Sequence, residues 1–163
     1  MTELERIARE LDEAHGGHPW HGPSRASVLA DVTVDEAARR PSANGHSIWA
    51  LVLHMRAWTG EVARRLREGD AREPVDGDWP APPAPSPQAW RDALAALEQA
   101  HREVVAAVQA SSPARLDERG GSGDPSLGAT MTYRVMLHGL AQHDAYHTGQ
   151  ISLLKRIYRD GVS

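Results

Sequence analysis

Two histidines, His143 and His147, lie four residues apart near the C-terminal end of this chain. At about 100° per residue, this spacing puts both imidazoles on one side of a helix, roughly 6 Å apart along its axis. One divalent ion could then bind both rings. The spacing alone is weak support, because the nine histidines among 163 residues give about 0.5 such pairs by chance.

The direction in which the pair faces is more informative. On a helical wheel, the apolar residues of this segment fall around the pair rather than opposite it: Met136, Leu140, Ile151, Leu154 and Ile157. A third histidine, His54, lies at the edge of another apolar stripe, about one turn from Leu51 and from Trp58. Since an unsatisfied buried polar group costs on the order of 1–3 kcal/mol, these rings must be hydrogen-bonded or bind a metal. The residues therefore predict either a metal site formed by His54, His143 and His147 or a set of hydrogen-bonded core histidines.

A site with three neutral imidazoles would suit zinc, nickel, iron or copper. Three protein ligands leave a coordination position open, as catalytic sites do, and the ion can then activate water, polarise a carbonyl or hold a thiolate. The segment from His143 to His147 is unlike the zinc-protease motif His-Glu-x-x-His, because the acid after the first histidine is Asp144, which is one methylene shorter. We therefore do not expect a protease.

Three residues near the proposed site have open roles. Asp144 lies about 100° around the helix from His143, so we expect it to face solvent or to contact a ligand histidine from behind. Tyr146 projects closer to the apolar stripe, where it either packs or donates a hydrogen bond into a cavity. His21 could fold back over that cavity. We expect no second metal site among the other histidines, which lie in loops, at a helix start, at the surface or without a histidine partner: His15, His18, His46, His101 and His138.

The composition excludes several classes of protein. There is no cysteine, which rules out disulfides, thiolate zinc sites and iron–sulfur clusters. The net charge is −4 with basic residues scattered among acids, so we expect no binding to nucleic acid. The charged N-terminus has no apolar signal core, and no segment reaches the ~18 apolar residues of a membrane span. We expect a cytoplasmic protein that does not bind membranes.

The apolar periodicity predicts four long helices, over residues 3–14, 47–68, 86–110 and 130–158. Ser24 and Thr33 are expected to begin two short helical turns between the first and second of them. No strand-period run of useful length is present. The fold class predicted is all-α, an up-and-down four-helix bundle that forms a single domain over residues 1–163.

Two connections are long and rich in turn-forming residues. The Pro-rich tract at residues 73–85 is expected to run over the surface as an inert connection rather than as a recognition segment for proline-binding modules. A Gly/Ser/Pro-rich loop is expected over residues 111–128. In bundles of this kind, metal sites are assembled from side chains of facing helices. The second long helix carries His54, and the fourth carries His143 and His147.

Three segments of the chain resemble the DinB/YfiT-like superfamily of bacterial four-helix-bundle metalloproteins. They are Trp20-His-Gly-Pro-Ser24, then Ser47-Ile-Trp-Ala-Leu-Val-Leu-His54 with Trp58 after it, and His143-Asp-Ala-Tyr-His-Thr-Gly-Gln-Ile151. The resemblance implies a histidine triad that binds a divalent metal, with one ligand from the second long helix and two from the last. Matched residue by residue, the triad is His54, His143 and His147. Dimers are frequent in that superfamily, so the resemblance implies a homodimer.

The resemblance implies more than one activity. Some relatives are thiol-dependent transferases or isomerases that use bacillithiol or mycothiol, and others are regarded as metal-dependent hydrolases. We expect a divalent metal ion, zinc or nickel before iron or manganese, and with it a low-molecular-weight thiol as a candidate cofactor. The enzyme hypothesis is a site that activates a thiol or water against a small electrophilic substrate. The alternative is a non-catalytic, metal-stabilised bundle that serves as a binding or dimerisation module.

Overall fold

Over its described residues, the protein folds into six α-helices, two two-residue strands and two short 3-10 turns. The structure is a computed structural model that describes residues 1–161, and Ser122 by its backbone only. Residues 162 and 163 of the predicted domain lie outside the described range. The helices are α1 (Glu3–Gly16), α2 (Arg25–Leu29), α3 (Val34–Ala38), α4 (Ile48–Glu68), α5 (Pro87–Gln109) and α6 (Tyr133–Asp160). Within residues 1–161, no helix combines the length and apolar character that crossing a bilayer requires.

Each of the six helices begins after a serine or threonine whose side chain accepts a hydrogen bond from a backbone N–H of the first turn. The caps predicted at Ser24 and Thr33 are present, and Ser86 caps α5 where that helix was expected to start. The last helix was expected from residue 130, and this start is wrong by two residues. Thr132 rather than Thr130 caps α6, since its hydroxyl accepts from the N–H of Val135.

The two strands were not predicted from the sequence. Strand β1 (Asp70–Ala71) pairs in parallel with β2 (Ser122–Gly123) and ties the end of α4 to the loop before α6. The backbones approach closely because Gly121 and Gly123 have φ values of +98° and +126° and carry no Cβ atom. A Cβ at either position would collide with the backbone of Gly69 or Ala71.

The four long helices form a bundle in which α4 packs against both α5 and α6, and α1 packs against the same two helices. One hydrophobic cluster joins α1 to the last turns of α4 and α5 and to the first turns of α6. A second cluster joins α2 and α3 to the first turns of α4 and α5 and to the last turns of α6. The all-α bundle predicted from the sequence is confirmed.

The same two clusters establish the directions of the helices. Because α4 and α5 both begin in the second cluster and end in the first, they run parallel to each other and antiparallel to α6. The up-and-down order expected from the sequence is therefore wrong, since two consecutive long helices point the same way. Residues 69–86 must therefore return along the bundle before α5 can start. Helix α4 has 21 residues and is roughly 30 Å long, a distance that an extended Pro-rich segment of this length spans. We call residues 69–86 the crossover.

The C-terminal end of α6 is fixed to the α2–α3 region by ion pairs. Arg159 binds Asp31 and Glu36, and Lys155 also binds Asp31. Hydrogen bonds from Lys155 and Arg159 lower the pKa of Asp31 to about 2, and the bond from Arg159 lowers the pKa of Glu36 to about 2. Both carboxylates are therefore charged in the folded protein over a wider pH range than in the unfolded chain.

An Arg159→Met variant should have a lower free energy of unfolding at pH 7 than the parent. The depressed pKa values stabilise the fold above the unfolded-state values near 3.8 and 4.5, and this stabilisation is lost as the pH falls toward 2. The difference between variant and parent should therefore shrink between pH 5 and pH 2, as measured by urea denaturation with acid titration. Arg156→Met is the control, since Arg156 is exposed and forms no ion pair within residues 1–161. A pH-independent difference would contradict this assignment.

Candidate metal centre

The three predicted histidines meet in the middle of the bundle, between the two hydrophobic clusters. His54 is placed by α4, and His143 and His147 by consecutive turns of α6. His54 and His147 are buried, with 6% and 5% of their surface exposed, and His143 is partly buried. Among the described residues, these three histidines form the cluster whose donor atoms lie close enough together to hold an ion.

The Nε2 atoms of the three rings face one another. The Nε2 atom of His143 lies 2.9 Å from Nε2 of His54 and 3.1 Å from Nε2 of His147. On the far side of its ring, Nδ1 of His54 lies 2.7 Å from the backbone oxygen of Asp78. In the same way, Nδ1 of His147 lies 2.7 Å from Oε1 of Gln150.

These oxygen partners determine the tautomers of two rings. A carbonyl oxygen can only accept, so Nδ1 of His54 and Nδ1 of His147 must carry the hydrogen and donate it. In the neutral rings, each Nε2 then presents a lone pair toward Nε2 of His143. A neutral His143 has one N–H and can direct it to one of these lone pairs. Hydrogen bonding among the rings alone therefore leaves one buried acceptor without a donor.

The surroundings favour the neutral form of the rings. Burial is the largest cause, and together with the neighbouring rings of His147 and His54 it lowers the pKa of His143 to about 4. Burial also lowers the pKa of His147, against the opposite effect of its hydrogen bond with Gln150. At neutral pH both rings are uncharged, so their nitrogen lone pairs are available.

The donor set fits a divalent ion. Two nitrogens that are each about 2.1 Å from a common tetrahedral ion lie roughly 3.4 Å apart, a few tenths of an ångström more than the observed separations of 2.9 Å and 3.1 Å. A cation among the three Nε2 atoms would satisfy every lone pair that the hydrogen bonds leave over. The oxygen partners on Nδ1 are those usually found behind metal-binding histidines, where they fix the ring orientation.

The crossover supplies part of this site. Besides its backbone contact, Asp78 accepts a hydrogen bond from the indole N–H of Trp58 at 2.6 Å. The indole of Trp79 stacks on His54 with a centroid distance of 3.9 Å and on His46 at 3.6 Å. An inert connection was expected here from the sequence, and these contacts contradict that expectation. The parallel run of α4 and α5 carries the crossover back past His54.

A buried ion pair lies directly behind the histidines. Nη1 of Arg25, on α2, donates to both carboxylate oxygens of Asp144. The two side chains are 2% and 8% exposed, so the expectation that Asp144 faces solvent is wrong. Its neighbour along the helix is His143, and its negative charge favours positive charge at His143 and His147. Asp144 therefore links the α2 region to the triad.

The polar layer continues to the other side of the bundle. Nη2 of Arg25 lies 2.8 Å from Nδ1 of His15, whose Nε2 lies 2.7 Å from Glu98. The ring of His15 stacks on His101 at a centroid distance of 4.1 Å, and His101 contacts Asp12. The prediction that His101 has no histidine partner is therefore wrong, because α1 brings His15 against it. The donor atoms of this pair do not converge with a third ligand among the described residues.

The remaining residues singled out in the sequence lie apart from the ion position. His21 is exposed, so it does not fold over the triad. Tyr146 is 64% exposed, and its ring lies edge-on to His147 at the rim of the site rather than packing in the core. His138 is partly exposed and contacts Glu10. His46 stacks on Trp79 and does not belong to the three-ligand cluster.

A cleft of about 660 Å³ opens beside the triad, and all three histidines contribute to its wall. It lies between α4, α6, the crossover and the turn before α6. Most of the other lining residues are apolar: Trp58, Val62, Met131, Val135, Met136 and Leu140. The volume is within the range of small-molecule sites. A molecule in this cleft would have access to an ion held by the three Nε2 atoms.

Comparison with known proteins gave one match. The model of the DinB superfamily matches residues 25–151, a range that runs from α2 into α6 and includes all three histidines. No curated protein and no solved structure matched the chain.

Removing one partner of the buried ion pair should be strongly destabilising. Arg25→Met leaves the Asp144 carboxylate buried without its partner, and we expect the free energy of unfolding to fall by about 3–5 kcal/mol. The Arg25→Met/Asp144→Leu double variant should lose much less than the sum of the two single variants, because no uncompensated charge remains. Urea denaturation of the four proteins measures this coupling. Additive losses would show that the two side chains do not depend on each other.

Proposed function

The chain belongs to the DinB superfamily, and we propose that it is a metal-dependent enzyme in which His54, His143 and His147 hold one divalent ion. The observation that carries the proposal is the convergence of three Nε2 atoms, two of them with tautomers fixed by oxygen acceptors, at the wall of a cleft. Neutral imidazoles suit zinc and nickel best, with iron and manganese as further candidates.

The number of ligands favours a reactive rather than a closed site. The cluster has three members among the described residues, which leaves a fourth position for water or substrate. All three rings contribute to the wall of the same cleft, so that position faces a space where a small molecule fits. A non-catalytic, metal-stabilised module would instead have its ion closed by a fourth protein ligand.

Each surrounding residue has a definite task in this proposal. The Asp78 backbone oxygen and the Gln150 side chain hold the Nδ1 hydrogens, and so keep Nε2 free to bind. Trp79 covers one face of His54 against solvent. The Asp144 carboxylate adds negative charge behind the ligands, which favours a bound cation. When bound, the ion supplies an activated water or thiolate to an electrophilic substrate in the cleft.

The metal content of a His147→Ala variant tests the ligand assignment. The parent, purified without added metal or metal-affinity resin, should carry about one divalent ion per chain by elemental analysis, as one complete three-histidine site requires. The variant should carry almost none, since two nitrogen ligands remain. His138→Ala on the same helix is the matched control and should match the parent. Full metal retention by His147→Ala would contradict the proposed site.

The reaction type is tested by turnover with simple electrophiles. Initial rates are measured with an electrophilic aryl or epoxide substrate, with and without a low-molecular-weight thiol, before and after chelation. A thiol transferase requires both thiol and metal, and a hydrolase requires metal alone. Because the site is preformed, readdition of zinc should restore the rate to within about twofold of its value before chelation. A fully loaded protein without turnover in either assay, stabilised by its metal, would support the non-catalytic module instead.

A further inference from the structure

The cleft offers no free positive charge among its described lining residues, because its one arginine is paired with a glutamate and its other charged residue is an aspartate. Among the described residues that line it, Arg65 is the one with a formal positive charge, and its side chain is 4% exposed. All three of its nitrogens already donate: Nε to Glu61 at 2.9 Å, Nη1 to the Leu127 oxygen at 2.7 Å and Nη2 to the Arg72 oxygen at 3.2 Å. Three of the five N–H groups of Arg65 therefore donate within the protein, and its charge is neutralised by the buried carboxylate of Glu61.

The carboxylate of Asp78 adds negative charge at the same wall. Its side chain is 45% exposed and accepts a hydrogen bond from Trp58, so it is held in place beside His54. An anion that entered the cleft would lose hydration without gaining a cationic partner along most of its length. An ion at the triad would attract negative charge at one coordination position. The rest of the cleft offers none of that attraction.

The apolar wall extends away from the triad along one side of α6. Met131 and Val135 line the cleft, and each is 53% exposed, which is high for apolar side chains. Met136 and Leu140 continue the wall toward His143. A ligand that covers these side chains would remove apolar surface from water, which is the main favourable contribution to binding in such a site.

Gly139 keeps this part of the cleft open. It lies one helical turn before His143 and lines the cleft, and beyond its chain neighbours and its own helix backbone no atom lies within 4 Å of the position that a Cβ would occupy. Glycine is a poor helix former, and neither a turn nor a close backbone contact requires it here. The missing side chain leaves space next to the ring of His143, where the body of a bound molecule would lie.

We propose that this cleft binds the body of an uncharged, mainly apolar small molecule and disfavours anionic ones. The proposal rests on the proposed function in one respect: the reacting end of that molecule, or the sulfur of a thiol, would reach the ion of the triad. A thiol cofactor whose body carries carboxylates or phosphates would bind weakly. The substrate class is thus a neutral, apolar electrophile of small-molecule size.

Two dyes with the same ring skeleton test the charge selectivity. The zinc-loaded protein is titrated with phenylnaphthylamine, which is neutral, and with anilinonaphthalene sulfonate, which adds one sulfonate, and binding is followed by fluorescence. The neutral dye should bind roughly tenfold or more tightly, because the sulfonate would lose water without finding a cation. Equal binding, or tighter binding of the sulfonate, would overturn the proposal.

Filling the cleft locates the bound dye. Gly139→Leu places a side chain in the open space and should weaken binding of the neutral dye by about tenfold or more, and Gly139→Ala should have a smaller effect in the same direction. Gly149→Leu is the matched control, since Gly149 is also in α6 with free space around it but does not line the cleft. Unchanged affinity in both Gly139 variants would overturn the proposal.

Metal content and dye binding are measured on every sample, with and without chelation. A protein that binds no zinc but retains the dye preference would refute the proposed function and support the selectivity of the cleft. A protein that binds zinc normally but shows no preference for the neutral dye would support the metal site of the proposed function and overturn the selectivity of the cleft. The two failures are therefore distinguishable.

Discussion

The structure depends on three imidazole rings whose Nε2 atoms face one another in the interior of the bundle. Such an arrangement is costly unless something positive lies among the rings, because two of the tautomers are already fixed by oxygen acceptors behind them. A divalent cation satisfies all three donors at once. This one requirement explains why the polar residues of the site are arranged around the rings and why their neighbours are otherwise apolar.

The path of the chain serves the same requirement. The bundle has an apolar cluster at each end and a polar layer between them, and the parallel run of α4 and α5 forces the crossover to pass that layer. As a result, Asp78 and Trp79 reach His54 from outside the bundle, and the Arg25–Asp144 pair supports α6 from the opposite side. The ligands are thus held by helices. Gln150, on the same helix as His147, fixes one ring locally, whereas Asp78 is brought to His54 by the crossover.

Local patterns in the sequence were sufficient for the four long helices and for the burial of two of the three histidines. Ser47 and Gly69 delimit α4 as their capping chemistry predicts, and the apolar stripes correctly placed His54 and His147 in the interior. What the sequence could not provide were pairings between distant segments. Arg25 and Asp144 are 119 residues apart, and an aspartate at the edge of a stripe looks the same whether it meets water or a buried arginine. Trp79 lies in a Pro-rich tract. The adjacent Asp78 and Trp79 are the signal in that tract that could have indicated a role beyond connecting two helices.

X-ray absorption of the zinc-loaded protein measures the atoms around the ion and so shows whether the three histidines bind it. We expect three imidazole nitrogens at about 2.0–2.1 Å and one further light atom from water or a small anion. A spectrum with no imidazole scattering, or with a shell formed mainly by carboxylate oxygens, would contradict the convergence of His54, His143 and His147 on one cation.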